Sequence, residues 1–489
     1  MNSLNIKTKI AIYLGIIIIL EFLSYASLLS QNLSALIFII IITASLALTV
    51  YRLEYGLLVV IAELLVGSMG HLFMLHISDQ QISIRICLWF ITLTIFFLKF
   101  IGQIICDGKE SKYLKALLSF SGAKYFIILA IFAFIGLINA LLRGQQLNLI
   151  VSDFNSWLYW LLMLPAIVTF SGDSKKSFEN LKTIFLSATI WLSLKTLILL
   201  YIFTHNLVIA PDVYLWLRKT LVGEMTPTLS GWPRIFIQGQ IFSGVALFLT
   251  FWLNNKRLKN ISSLLLGAVF SSALLISFSR SFWVALIVSI IFSLIIIWRL
   301  YYFKAALKSA LWFAISFSLG LVLIILVAIF PYPESGKFNA DFISRVSNGN
   351  EAALASRWSL LPILTQEIKK EPFFGQGFGA TITYKSSDPR VLENDPSGKY
   401  TTYAFEWGYL DLWLKIGLFG LLAYLFLILY LTNKAIKYGA KNSDYLLLGL
   451  AASFVFLAIT NIFTPYLNHP LGMGILLIGA CLIRKDRVY

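Results

Sequence analysis

Long apolar runs recur along most of the chain, and most charged residues lie in the connectors between them. A helix of about 20 residues crosses the hydrocarbon core of a bilayer, and fourteen runs approach or exceed that length. Because two of them are marginal, the pattern predicts an all-α polytopic membrane protein with about 12–14 transmembrane helices. The runs are residues 9–30, 33–50, 57–77, 83–104, 124–142, 155–171, 182–203, 235–254, 261–279, 282–299, 307–330, 405–430, 444–463 and 469–483.

Lysine and arginine are distributed unequally between the two sets of short connectors. If the N-terminus is cytoplasmic, the inner connectors and the C-terminal tail carry them, whereas the short outer connectors at 31–32, 78–81 and 464–469 contain none. Because positively charged loops stay in the cytoplasm, we predict that both termini are cytoplasmic. The same rule explains most of the net charge of +16, so no nucleic-acid partner is expected.

Two outer segments are longer than the rest, and they define the predicted domain organisation. Residues 204–233 form a smaller outer loop, and residues 331–404 form an inserted extracytoplasmic loop between the eleventh and twelfth predicted spans. Within the larger loop, residues 350–371 have apolar positions at helical spacing, with Asn350 placed to cap the helix and Pro362 to kink it. Residues 1–489 are therefore predicted to be a single membrane domain with this insertion.

Residue type and spacing exclude several kinds of site. The three cysteines lie in or beside apolar runs without a CxxC spacing, and the four histidines form no HExxH motif. We therefore expect no disulfide, no metal and no cofactor. The glycines at 375, 377 and 379 resemble a phosphate-binding loop superficially, but no strand precedes them, so this interpretation is rejected.

Four arginines are predicted to lie at or near the outer face, against the usual distribution of positive charge. Arg280 is the only charged residue in the apolar stretch 261–298, where residues 277–280 (SFSR) would form the tip of a very short helical hairpin. An arginine in hydrocarbon costs at least ~2.5 kcal/mol, so this tip belongs at a wet or protein-lined surface. The four are Arg85, Arg143, Arg234 and Arg280.

Guanidinium groups at a membrane surface can bind phosphate or pyrophosphate through two parallel hydrogen bonds. Arg280 and Arg234, together with Arg345 and Arg357 of the large outer loop, are candidates for such a site. The alternative for each is a side chain that snorkels or pairs with a lipid headgroup. That alternative is favoured for Arg345 and Arg357 taken alone, because their loop is nearly neutral. For Arg280 a functional role is favoured, because ionisable residues inside a membrane are usually functional.

Acidic candidates are fewer. Glu406 lies at the outer interface among aromatic residues with no cation near it in sequence, so partial burial could make it a general base. An exposed carboxylate near the start of a helix is an equally good interpretation. Asp411 and Lys415 are spaced i and i+4 on the next helix and are predicted to pair with each other. Three further ionisable residues lie within predicted spans and either line a polar cavity or pair with each other: Glu21, Glu63 and Lys195.

Four local features follow one another in the C-terminal half of the chain. An arginine opens a span (Arg234), and the SxSR signature follows at 277–280. The loop segment that begins at Arg357-Trp358 then leads through Pro372 to the glycines at 375–379, and the helix YLDLWLKIGLFGLLAYL follows at 409–425. In this combination and order the features resemble the O-antigen ligase and O-antigen polymerase family of bacterial membrane glycosyltransferases.

The resemblance implies a metal-independent transferase in the bacterial cytoplasmic (inner) membrane, with its active site on the outer face. Such enzymes move a glycan from an undecaprenyl-pyrophosphate carrier to a hydroxyl of a lipid or glycan acceptor, in the synthesis of lipopolysaccharide or another envelope polysaccharide. By resemblance, Arg280 and Arg234 bind the pyrophosphate and stabilise it as the leaving group. Arg357 and Arg345 would position the donor from the side of the loop.

The chain departs from the family pattern at the proposed base. The family usually has a histidine in an HNxYL motif just before the last long helix. Alignment on the Tyr-Leu pair at 409–410 places Glu406-Trp407 where the His-Asn pair would be. Glu406 would then accept the proton of the acceptor hydroxyl.

Two other interpretations stay open. A lipid-linked oligosaccharide flippase could have a similar number of helices, although transporters tend to show internal repeats and none is evident here. A non-catalytic member of the same family, acting as a scaffold in envelope assembly, would explain the missing histidine. The sequence does not separate a ligase from a polymerase.

Overall fold

A computed structural model of the chain describes residues 5–77, 80–171, 175–228, 232–254, 261–331, 352–387 and 389–483. Helices dominate these ranges, and the strands are few and short. In chain order the helices are α1 (Ile6–Ala26), α2 (Gln31–Tyr51), α3 (Leu53–Gly67), α4 (Ile84–Asp107), α5 (Lys112–Leu118), α6 (Ala123–Leu142), α7 (Leu147–Phe154), α8 (Met163–Ser171), α9 (Lys175–Thr204), α10 (Ala210–Lys219), α11 (Ile241–Asn254), α12 (Ile261–Ile276), α13 (Arg280–Leu300), α14 (Phe303–Ile329), α15 (Ala352–Lys370), α16 (Pro389–Asn394), α17 (Gly408–Asn442), α18 (Tyr445–Thr460) and α19 (Pro470–Leu482).

The number of apolar helices agrees with the hydropathy pattern. Within the ranges given above, nine helical segments are long and apolar enough to cross a membrane, and four shorter apolar helices accompany them. The run at 155–171 starts as a 3₁₀-helix (Asn155–Leu162) and continues as α8. The prediction of an all-α polytopic membrane protein is confirmed.

The third apolar run forms a shorter helix than the sequence predicts. α3 ends at Gly67, because Ser68 (φ 52°) and Gly70 (φ 89°) have positive φ angles that a helix cannot continue. The chain then enters the first of the three antiparallel hairpins found in the described ranges, each of which lies in a connector. They pair β1 (Met74–Ile77) with β2 (Gln80–Ser83), β3 (Gly223–Pro227) with β4 (Pro233–Ile237), and β5 (Ile382–Lys385) with β6 (Lys399–Thr402).

The ionisable residues inside the predicted spans form ion pairs. Lys195 on α9 lies 2.5 Å from Glu21 on α1, and both side chains are almost fully buried. Glu63 on α3 accepts from Arg85 on α4 through both carboxylate oxygens, at 2.8 and 3.1 Å. Arg85 also donates to the backbone carbonyl of Ser68 at 2.6 Å. Arg85, one of the four predicted outer arginines, is thus held by a partner inside the bundle, as a buried charge requires.

The described part of the large loop packs on the start of α17. The predicted helix at 350–371 is present as α15, and Pro362 lies inside it, whereas the predicted cap Asn350 lies outside the described ranges. Side chains of α15, the β5–β6 hairpin and α17 share a small apolar core. Its members include Leu360, Leu364, Ile382, Phe405 and Leu414.

Candidate functional site

The first part of the candidate site is the turn between α12 and α13. α12 ends at Ile276 and α13 begins at Arg280, so only three residues form the predicted hairpin tip. The side chain of Ser277 accepts the backbone N–H of Ser279 at 3.1 Å, and Phe278 adopts a positive φ of 48°. Phe278 is fully buried, and this packing holds the turn in a conformation that a large side chain seldom adopts. The turn places the half-buried Arg280 at the first position of α13.

Arg234 reaches the same turn from the β3–β4 hairpin. It lies on strand β4, opposite Thr226, instead of opening a helix as the sequence predicted. Its Nε donates to the carbonyl of Ser277 at 2.9 Å. Its Nη1 lies 3.8 Å from a carboxylate oxygen of Glu224, and the guanidinium stands 5.4 Å from the ring centroid of Phe236. Arg234 is therefore bound to the turn at Ser277, three residues before Arg280. This position is beside the N-terminus of α13, which is the positive end of the helix dipole.

Arg357 and Glu406 form the second part of the candidate site. Nε of Arg357 makes an ion pair with Oε2 of Glu406, although 49 residues separate them. The indole N–H of Trp407 donates to the backbone carbonyl of Arg357 at 3.1 Å, and the rings of Trp358 and Trp407 meet edge to face at 5.5 Å. Because the Glu406 side chain is 54% exposed, it is a surface carboxylate held by one guanidinium.

The connector between α18 and α19 joins the two parts. The hydroxyl of Thr464 lies 3.0 Å from that of Ser281, which follows Arg280. The ring of Phe463 packs against Trp407, which follows Glu406, with a centroid distance of 5.7 Å. The arginine turn and the Arg357–Glu406 pair thus contact neighbouring residues of one connector. The remaining candidate, Arg345, lies outside the described residues.

A break that the sequence did not predict interrupts α17 at Gly417, 11 residues beyond Glu406. Gly417 has a φ of 72° and a ψ of 177°, which interrupts the helix. The carbonyls of Leu414 and Lys415 accept from the backbone N–H groups of residues 376 and 377, at 2.7 and 3.2 Å. The N–H groups of residues 418 and 419 donate to the carbonyls of residues 372 and 373, at 2.9 and 3.3 Å. The loop inserts into the helix and replaces the hydrogen bonds that the break removes, as a buried backbone requires.

The three glycines of the loop have a packing role. Gly375, Gly377 and Gly379 all have φ angles between 74° and 95°, a region that few other residues occupy. A Cβ atom on Gly377 would lie 2.3 Å from the backbone nitrogen of Ala140 on α6, and one on Gly375 would lie 2.6 Å from the backbone nitrogen of Gly417. The glycines therefore allow the loop backbone to pass directly against the backbones of α6 and α17.

A buried charge cluster holds the first half of α17. Nζ of Lys415 lies 2.8 Å from Asp411, which confirms the predicted pair, and 2.7 Å from Asp153 on α7, which the sequence did not predict. Asp153 also accepts the backbone N–H of Gly379 at 2.9 Å, and Asp411 accepts the side-chain amide of Asn468. The cluster links α7, the glycine loop, α17 and the connector before α19. The sequence contained an indication that Asp153 could be important, because it is an acidic residue just before the apolar run at 155–171.

The described side chains around the candidate site include no cluster of metal-binding residues. Over the part of the chain that the structure describes, three or more His, Cys, Asp or Glu side chains never come together as a metal site. The candidate site therefore consists of guanidinium groups, one exposed carboxylate, hydroxyl groups and aromatic rings. Such a set is suited to bind a charged phosphate group and a sugar, because arginines recognise phosphate oxygens and aromatic rings cover apolar faces.

The fold and the site define a polytopic membrane protein with an arginine-rich site at one end of its helices. Residues 265–425 match the family model described as O-Antigen ligase. The match runs from α12 into α17 and includes Arg280, Arg357 and Glu406, and it confirms the resemblance to the O-antigen ligase and polymerase family. This part of the chain is thus similar to the O-antigen ligase family, and the similarity is consistent with a membrane glycosyltransferase. No curated protein matches the sequence.

Proposed function

We propose that this protein is a glycosyltransferase that moves a glycan from an undecaprenyl-pyrophosphate carrier to a hydroxyl of a lipid or glycan acceptor. The reaction would take place at the outer face of the bacterial cytoplasmic membrane, with both chain termini in the cytoplasm, and without a metal. The arginine turn at 277–280 and the Arg357–Glu406 pair both lie within the family-matched region. Their convergence on residues 463 and 464, which lie beyond that region in sequence, carries the proposal.

The arginines would act on the leaving group. When the bond between the anomeric carbon and the pyrophosphate breaks, its electron pair stays on the pyrophosphate oxygen and negative charge develops there. Arg280, at the start of α13, and Arg234, anchored on the neighbouring carbonyl of Ser277, would stabilise that charge. Preorganised donors of this kind supply a large share of transition-state stabilisation. Arg345 would add a contact from the loop side.

Glu406 would act as the general base. The oxygen of the acceptor hydroxyl attacks the anomeric carbon, opposite the leaving pyrophosphate, so the configuration inverts and the proton passes to a carboxylate. Arg357 binds Oε2 of Glu406, which orients the carboxylate and leaves Oε1 to accept the proton. A positioned base contributes about 10²- to 10⁴-fold to such a reaction.

The test uses the full-length protein in proteoliposomes with a lipid-linked glycan donor and an acceptor, with transfer followed by gel shift of the acceptor. We expect Arg280→Ala to reduce transfer by about 10²- to 10³-fold and Glu406→Gln to reduce it to background. Arg299→Ala, which removes an exposed arginine from the other end of α13, is the matched control and should leave transfer unchanged. Wild-type transfer by Arg280→Ala would exclude the pyrophosphate role.

The break in α17 is the observation that suits a flippase, because transporters commonly contain discontinuous helices near their substrate sites. In this protein, however, the loop at 372–377 satisfies the backbone groups freed by the break, so they do not face a substrate path. The same proteoliposomes distinguish the two functions. Movement of labelled lipid-linked glycan across the bilayer without any new glycosidic linkage would favour the flippase and contradict the transferase.

A further inference from the structure

An apolar groove runs along α6, on a part of the molecule that the proposed reaction does not use. Its volume is about 540 Å³, within the range of ~300–1,000 Å³ that small-molecule sites occupy. Phe120, Leu129 and Trp157 form its buried floor, while Ile127 and Phe134 on the rim are about 60% exposed. The groove is therefore open along the lipid-facing side of the bundle and is lined by hydrocarbon and aromatic rings.

Polar and positively charged residues lie beside one end of the groove, next to its lining residues Phe120 and Ala123. Lys434 on α17 donates to the hydroxyl of Ser121, next to Phe120 of the groove floor, and to the hydroxyl of Tyr430 at 3.1 Å. The ring of Tyr430 stacks on Tyr125 at 4.2 Å, and Lys124 lies beside it at the start of α6. Among the residues that the structure describes, neither lysine has a carboxylate partner. Two ammonium groups thus lie beside one end of the apolar groove, and no acidic residue in the described ranges pairs with either of them.

The charged end of the groove lies far from the candidate site. α17 begins at Gly408, next to Glu406, and reaches Lys434 only after 26 further residues. At 1.5 Å per helical residue this is at most roughly 40 Å, because the break at Gly417 interrupts the helix, and this length is comparable to the thickness of a bilayer. The groove therefore opens toward the opposite membrane leaflet, which is the cytoplasmic leaflet in the predicted orientation, and it is separate from the site where the donor would bind.

We infer that the groove binds one anionic glycerophospholipid, with an acyl chain along α6 and the phosphate between Lys124 and Lys434. The lining matches a hydrocarbon chain, and the two lysines match a headgroup with net negative charge. Basic pockets between transmembrane helices bind anionic lipids in this way. A zwitterionic lipid offers the same chain but not the same charge, so the structure predicts selection by the headgroup.

The experiment measures which lipids the purified full-length protein retains. Protein in mild detergent micelles is given equal amounts of phosphatidylglycerol and phosphatidylcholine, and retained lipids are counted by native mass spectrometry. We expect the wild type to retain one phosphatidylglycerol in preference to phosphatidylcholine. The double variant Lys124→Gln/Lys434→Gln should lose this preference by about fivefold for each lysine. Its matched control, Lys304→Gln/Lys308→Gln, removes two exposed lysines from α14 and should keep it.

A second variant tests the groove itself. Ala130, an exposed residue in the lining, is replaced by tryptophan to fill the channel, and Ala47→Trp on the exposed face of α2 is the control. We expect Ala130→Trp to abolish lipid retention and Ala47→Trp to keep it. Equal retention of both lipids by the wild type, or unchanged retention by Ala130→Trp, would overturn the inference. A change of oligomeric state in Ala130→Trp with unchanged lipid preference would also overturn it. The groove along α6 would then bind a second copy of the chain instead of a lipid.

Discussion

Lys415 is the centre of the most informative stability prediction. Its side chain is 2% exposed and lies between two carboxylates, Asp411 at 2.8 Å and Asp153 at 2.7 Å, which are also buried. In Lys415→Met the apolar part of the side chain is kept, but both carboxylates lose their counter-ion inside the bundle. Removal of one partner of a buried ion pair costs about 3–5 kcal/mol, because the other charge is left uncompensated.

The assay is thermal unfolding of the purified protein in detergent. We expect Lys415→Met to lower the unfolding midpoint by roughly 3–5 °C. The triple variant Asp153→Asn/Lys415→Met/Asp411→Asn removes all three charges and should recover much of the loss, since neutral replacement of a buried ionic cluster is often tolerated. Lys370→Met breaks the exposed pair with Glu367, where about 1 kcal/mol or less is expected.

Two results would refute this reasoning. If Lys415→Met unfolds at the wild-type temperature, the cluster does not hold the helix. If the triple variant is as unstable as the single variant, the loss comes from packing or from the hydrogen bonds of Gly379 and Asn468, and not from uncompensated charge.

Two further predictions concern the loop and the ion pair. Gly377→Ala should strongly reduce the yield of folded protein, because the new Cβ would lie 2.3 Å from the backbone of Ala140. The yield is measured by fluorescence-detected size exclusion. The control is Gly15→Ala on α1, where a new Cβ would have no neighbour within 4 Å and should not reduce the yield. If both variants give equal yields of folded protein, folding does not require the close approach of the loop backbone to α6. Arg357→Ala should reduce transfer about 10-fold, the effect of losing one charge-assisted hydrogen bond, while Glu406→Gln should abolish it, because in the proposed reaction only the carboxylate would accept the proton. Equal losses in the two single variants and in the double variant would mean that the pair is only structural.

The features that the sequence predicted correctly depend on residues close to one another in the chain. Apolar runs of spanning length became helices, the turn at 277–279 is as short as predicted, and Asp411 pairs with Lys415 four residues away. The features that were missed depend on distant partners. Asp153 is 262 residues from Lys415, and Arg357 is 49 residues from Glu406. No local pattern reports such contacts.

The break at Gly417 could not be predicted for a different reason. A single glycine in an apolar run is compatible with a continuous membrane helix, since neighbouring groups can support it. Whether it breaks depends on whether another segment supplies replacement hydrogen bonds. Here residues 372–377 supply them. The sequence indicates a glycine-rich segment there, but it does not indicate that this segment packs against α17.

The arginines on the predicted outer face show how far charge distribution alone can indicate function. Three of the four have an acidic partner: Arg85 pairs with Glu63 at 2.8 Å, Arg143 with Glu371 at 2.6 Å, and Arg234 lies 3.8 Å from Glu224. Arg234 differs from the other two because it also donates to a backbone carbonyl of the turn that bears Arg280. The unusual position of these three arginines therefore predicted a structural constraint, but only contacts in three dimensions separate structural pairs from candidate ligands for phosphate.

The first half of α17 connects these observations. Its start is held by the bond from Trp407 to the carbonyl of Arg357 and by the hydroxyl of Tyr409, which donates to the carbonyl of Ala458 at 2.7 Å. Its end is held by Lys415 and by the inserted loop. A short helix fixed at both ends is a rigid support, and catalytic groups require such support to within about 0.5 Å. The glycine loop contacts α17 at Gly417, 11 residues beyond Glu406. By holding that end of the helical segment, the loop would help to fix the position of the Glu406 carboxylate in the proposed reaction.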